Sequence, residues 1–176
     1  MLQGFSISGS LSAQRMPFRL RVLRNLTSTL ERVNPTNGYH YDLRGCVFRG
    51  RDTFGPEDPL PMLSILEAPI PLETIISRNT NTASSGDWEL LIQGFVPDDP
   101  INPTDPGHHL MAEVKAVLVE EKRRDRSRNI LNVSGKIVEL RVGQGSVRPA
   151  DEASDKAFFW LTLTLKLAED LSDPYQ

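Results

Sequence analysis

The sequence predicts an α+β protein, an antiparallel β-sheet packed by two α-helices, with an extended loop and an N-terminal arm. Three observations carry that expectation. Two segments place apolar residues at helical spacing: Leu23, Leu26, Leu30 and Val33, then Leu110, Val114, Val117 and Leu118. Two later segments, 136–142 and 157–167, alternate with period two instead. Each alternating run has a distinct apolar side, the pattern of a sheet half covered by helices.

A length of 176 residues suits one domain with a single core. Hydrophobic content of 39% and charged content of 24% are ordinary for a soluble chain. Thirteen prolines and twelve glycines imply many turns. A net charge of −3 argues against general nucleic-acid affinity and leaves room for a local basic patch. Cys46 is the sole cysteine, which excludes an intrachain disulfide and a cysteine-based zinc site and suits a reducing cytoplasm. The first ten residues lack the charged and apolar regions of a secretory signal. No apolar run approaches the roughly 20 residues that span a bilayer. The expectation is a protein that is soluble and intracellular when made.

Residues 1–15 are small and polar apart from Phe5 and Ile7, and read as an arm ordered against a neighbour or as a frayed end. A domain over 16–170 follows, then a short tail, 171–176. Pro17 fits a first helical turn. The helix behind it is amphipathic, with Arg19, Arg24, Glu31 and Arg32 largely off its apolar stripe, and ends at Asn34-Pro35 and Asn37-Gly38.

From Gly38 to Leu66 the chain reads as short strands and turns. Cys46-Val47-Phe48 is apolar, Phe54–Pro59 is a loop by composition, and Met62–Glu67 is a buried strand. The polar stretch Ser77–Gly86 is a long excursion for a compact domain, expected to reach outside it. Asp87–Phe95 is a strand anchored by Trp88. A proline-rich bridge then delivers the second helix, with Asp105 placed to cap it and Pro106 in its first turn. Glu113, Lys115, Glu120 and Glu121 are expected to point outward.

In 136–142 one face carries Ile137, Glu139 and Arg141 and the other, expected inward, Val138, Leu140 and Val142. Phe159, Leu161, Leu163, Leu165 and Leu167 form the inner side of the last strand. Gly143–Asp155 between them reads as a loop.

The residues offer little for catalysis. His109 and Glu113 have the i, i+4 spacing that can hold a metal, but further ligands would have to come from His40 or scattered carboxylates. A solvated first turn bearing His108 and His109 is the better reading. Cys46 fits an inert buried thiol, and Gly143-Gln144-Gly145 lacks the flanking pattern of a phosphate loop. The expectation is no enzyme, no metal and no cofactor.

Charge is more informative. Lys122, Arg123, Arg124, Arg126 and Arg128 cluster beyond the second helix. Cations there complement the helix dipole, which accounts for the first three better than for Arg126 and Arg128. The rival reading is a docking patch for an acidic partner, with DNA phosphate the minor case. Arg44, Arg49 and Arg51 lie among Tyr39, Tyr41 and Phe48, types that interfaces favour. Arg78 sits in the polar excursion. These nine basic residues are the candidate interaction set.

In the order of its motifs the chain resembles the tail terminator (tail completion) proteins of long-tailed bacteriophages, the lambda-type minor tail protein family. The likeness covers residues 16–170. It rests on the Leu20–Val33 helix, Gly38-Tyr39-His40-Tyr41-Asp42 with the later Arg49-Gly50, Pro61–Glu67, Trp88–Gly94, the Leu110–Glu121 helix and the closing strands. The arm and the 122–128 stretch have no counterpart in it.

The resemblance implies a homo-hexameric ring on the last layer of the tail tube. One face would meet the tail tube protein and the other a neck or head-completion protein, placing the chain at the tail–neck junction of the virion after assembly in the host cytoplasm. Each copy brings −3, so DNA is expected to pass the lumen without specific binding. Alternatives are a head-closure or neck adaptor subunit and, in another class, a DNA-binding module using Lys122–Arg128.

Overall fold

The computed structural model describes residues 15–68, 82–124, 129–151 and 156–175. It contains two α-helices and a five-stranded mixed sheet. Helix α1 spans Phe18–Leu30. Its buried stripe is Phe18, Val22, Leu26 and Leu30, a strict i, i+4 row, with Leu23 only partly buried at its edge. Val33 is buried just beyond the helix. The chain then turns through Pro35–Asn37, where the Asn34 side chain accepts the Asn37 N–H, and Gly38 adopts φ 84°.

Strands β1 (Val47–Arg49) and β2 (Met62–Glu67) pair in parallel, Val47 opposite Leu63. The all-antiparallel expectation is therefore corrected to a mixed sheet. A parallel pair needs a crossover rather than a tight turn, and Gly50–Pro61 provides it. That loop seals an apolar cluster outside the main core, in which Met62, Phe95 and Phe158 pack with Cys46, Phe48, Phe54 and Leu60.

Strand β3 (Ala83–Val96) pairs antiparallel with β2 and, over its whole length, with β5 (Ala157–Asp170). Ala83–Gly86, read from sequence as polar loop, thus belongs to a strand; residues 77–81 of that excursion, including Arg78, lie outside the described residues. Strand β4 (Ile137–Arg148) pairs with β5 and is outermost in the order β1-β2-β3-β5-β4. It extends well into the expected Gly143–Asp155 loop. Its register shifts between Ile137 and Glu139 and again between Val142 and Gly145. The first shift breaks the period of two, so Ile137 and Leu140 are buried while Val138 is 48% exposed.

Helix α2 (Asp105–Lys122) buries Leu110, Met111, Val114, Val117 and Leu118 over the sheet. Thr104 takes the cap position without a side-chain bond, and Asp105 is the first helical residue. At the other end Glu121, expected outward, is buried. The core joins these side chains to α1 and to Leu63, Ile65, Leu90, Ile92 and the alternate leucines of β5. Gly94 is fixed by that packing, since a Cβ there would lie 2.1 Å from Cε1 of Phe159. Beyond β5, the Leu171 N–H donates to Thr82 O and the Phe18 N–H to Pro174 O, both at 2.8 Å.

Candidate interaction surfaces

The basic residues singled out from sequence hang on different elements and have different partners. Arg44, exposed in the turn before β1, grips Asp42, with Nε on Oδ1 at 2.9 Å and Nη2 on Oδ2 at 2.5 Å. That guanidinium and the Arg44 N–H hold the Asp42 carboxyl down to about 2. Arg49 ends β1 and donates from Nη1 to Thr27 Oγ1 of α1 at 2.9 Å.

Arg51 is built into the crossover loop. It pairs with Asp58 at 2.6 Å and lies over the rings of Phe48 and Phe54, 4.8 and 5.2 Å from their centroids. Asp58 also accepts the Gly55 N–H at 2.7 Å; that bond, and then the Arg51 contact, lower its pKa. Arg51 thus holds a lid over the outer cluster.

Lys122 and Arg123 are exposed where α2 ends. Arg124 turns back to Glu121 at 3.6 Å and donates to Asn132 Oδ1 at 3.4 Å. Arg126 and Arg128 lie outside the described residues. Among the described residues the arginines therefore occupy separate places, Arg44, Arg49 and Arg51 around β1 and its loop, Arg123 and Arg124 at the C-terminal end of α2.

Glu113, offered as a metal ligand with His109, spends its carboxylate on backbone: Oε1 accepts the His40 N–H at 2.7 Å and Oε2 the Tyr41 N–H at 3.1 Å. It ties the segment after α1 to α2. Among the described residues no group of three or more His, Cys, Asp or Glu is arranged to hold a metal. Cys46 is partly buried just before β1, not within a strand, and burial, then Asp42 and Glu31, push its thiol up.

The sheet face away from the helices is the surface that sequence reasoning missed. Past the loop-covered cluster, Trp160 packs edge-on against Phe158, ring centroids 5.2 Å apart, and remains 40% exposed. Gln93 and Ser146 flank it across the ladders, and Leu91 lies two pairs further along, opposite Thr162. The face then becomes charged, with Arg141 paired to Asp87 and, at 3.8 Å, to Glu139. The signal was present in 157–167, where Trp160, Thr162 and Thr164 form the off-phase row. Ile101, in the bridge before α2, is 85% exposed, above a turn whose Asp99 Oδ1 accepts the N–H groups of Ile101 and Asn102.

This arrangement offers shape, a mixed-charge sheet face and an edge strand. No protein-family model and no curated protein sequence matches the chain.

Proposed function

We propose that the chain is a structural subunit of a bacteriophage virion. It acts as a tail terminator, closing as a ring of six copies on the last layer of the tail tube, stopping tube growth and joining the tail to the neck. It works without catalysis or cofactor, and DNA passes its lumen without specific binding. The observation that carries this reading is the division of the subunit surface. Helices cover one side of the sheet, while the Trp160 face and the β4 edge are separate, differently built surfaces. A head-to-tail contact that closes into a ring needs two different patches on each subunit. Six contacts to the tube then act together, because each after the first is effectively intramolecular. The motif order behind the family resemblance also supports it.

Electron microscopy of particles assembled with and without the chain tests the reading. A ring between capsid and tail, with unregulated tail length when the chain is omitted, is expected; absence of the chain from mature virions removes it. A head-closure subunit would bind neck but not tube.

The exposed Lys122 and Arg123 favour a second reading, a DNA-binding module. Replacing Arg123, Arg124, Arg126 and Arg128 by serine separates the two. The DNA reading requires a salt-sensitive affinity that this change abolishes. A docking patch loses tail or neck attachment instead.

A further inference from the structure

The sequence ahead of Arg15 carries a pattern that none of the five strands uses. From Phe5 to Ser12 every even position is serine, and the odd positions are Phe5, Ile7, Gly9 and Leu11. Period two with one apolar side is a strand signature. A strand gains stability only by pairing with others and covering its apolar side.

The root of this segment is fixed. Arg15 pairs with Asp173 at 3.5 Å and its guanidinium lies over the Tyr175 ring, while the Phe18 N–H bonds Pro174 O. These contacts hold the root close to the end of the sheet where β5 finishes. Strand β4 begins at the same end, since the Ala168 N–H donates to Lys136 O at 2.8 Å. There β4 is outermost in the sheet and exposes Val138. Its two register shifts break the edge into short stretches, which guards against indiscriminate pairing and favours a short partner. Residues 1–14, if extended, reach at most about 50 Å. The β4 edge is about 40 Å long.

We propose that Phe5–Ser12 of one copy adds as an extra strand to the β4 edge of the next copy, with its apolar side beside Val138 and its serines toward solvent. Main-chain hydrogen bonds supply the affinity and the alternate side chains the register. The choice of a second copy rests on the ring reading: donation from copy to copy makes the head-to-tail contact a ring requires, whereas an arm on its own edge links nothing.

The test uses the full chain with Cys46→Ser, Ile7→Cys and Val138→Cys, mixed from unlabelled and nitrogen-15-labelled preparations, oxidised and read by mass spectrometry. Single-cysteine versions serve as controls. Disulfide-linked peptides joining a light to a heavy half are expected, and a chain lacking residues 1–14 is expected to sediment as a single copy with an unchanged unfolding midpoint. Links confined to one label, or no links at all, overturn strand donation. A shortened chain that still forms rings on tails also overturns it, while leaving the terminator reading in place. Mixed-label links in a chain that never attaches to tails would keep donation and remove that reading.

Discussion

Glu121 offers the sharpest test of how this fold is held, because a buried carboxylate sits where sequence reasoning placed a solvated one. Its side chain is 1% exposed. Oε1 accepts the Leu131 N–H at 2.7 Å, and Arg32 and Arg124 approach to 3.6 Å each. Leu131 has φ 50°, Asn132 φ 54° and Ser134 φ 48°. Each left-handed non-glycine residue costs about 1–2 kcal/mol. That turn therefore needs anchors, and it has three: the buried Leu131 side chain, the Glu121 carboxylate, and Asn25 Nδ2 donating to Leu131 O at 2.6 Å.

The charge-assisted bond to Leu131 contributes about 1.5–3 kcal/mol, and its loss strands a buried N–H. The two half-exposed arginines add about 0–1 kcal/mol each. Glu121→Ala should thus destabilise the protein by about 2–4 kcal/mol and lower Tm by on the order of 10 °C. Glu121→Gln keeps an acceptor and should lose only about 1 kcal/mol. Glu120→Ala, on the same helix end but 47% exposed, is the control and should stay within about 1 kcal/mol. Urea unfolding followed by tryptophan fluorescence measures all three. An alanine variant within about 0.5 kcal/mol of the parent, or a glutamine variant no better than alanine, would refute the anchoring argument.

Gly94→Ala places a methyl 2.1 Å from the buried Phe159 ring and should cost about 1–3 kcal/mol or more; adding Phe159→Leu should recover part of the loss, and no recovery contradicts the steric account. The Asp42 carboxyl, held at about 2 against an ordinary 3.8, should titrate near that value by NMR and move upward in Arg44→Ala. Because its folded pKa is depressed, any stability it contributes is present above pH 3.8 and is lost as pH falls toward about 2; an unmoved midpoint in the variant would count against the pairing. The Cys46 thiol, pushed up by burial, should react with a disulfide reagent at pH 8 more slowly than free cysteine and at the free rate in urea; equal rates in the native state would show the thiol to be open.

Features set by local periodicity were legible in the sequence, and those set by neighbours were not. The inner row of β5 and the apolar side of α2 follow directly from spacing. The direction of β1 did not, because a strand of three residues has no period to read and the crossover over the outer cluster is a tertiary choice. The bulge after Ile137 defeated the β4 reading by moving Val138 outward. Glu121 looked polar and therefore exposed, and only the strained turn folded onto it explains its burial. Of the nine basic candidates, Arg51 proved to be a clamp on its own loop and Arg124 a partner of Glu121. Charge in a sequence marks where cations are, not whether they are already spent.

That distinction bears on how such a subunit assembles. A basic side chain already committed to an internal partner must break that contact before it can dock elsewhere, so Arg44 and Arg51 are poor donors to an outside surface. Groups that lose nothing internal on contact are the better ones. Trp160 keeps its edge contact with Phe158 while presenting 40% of its surface. Val138 is held outward by a bulge, and Ile101 stands 85% exposed on an aspartate-capped turn. Each is an apolar group held in place by structure that remains when it is covered, which is the preorganisation that reduces the entropic cost of association. They lie on three different elements, so one neighbour making a single contact does not readily cover them all. Under the ring proposed above, a subunit with neighbours on two sides and a tube beneath it would have use for each.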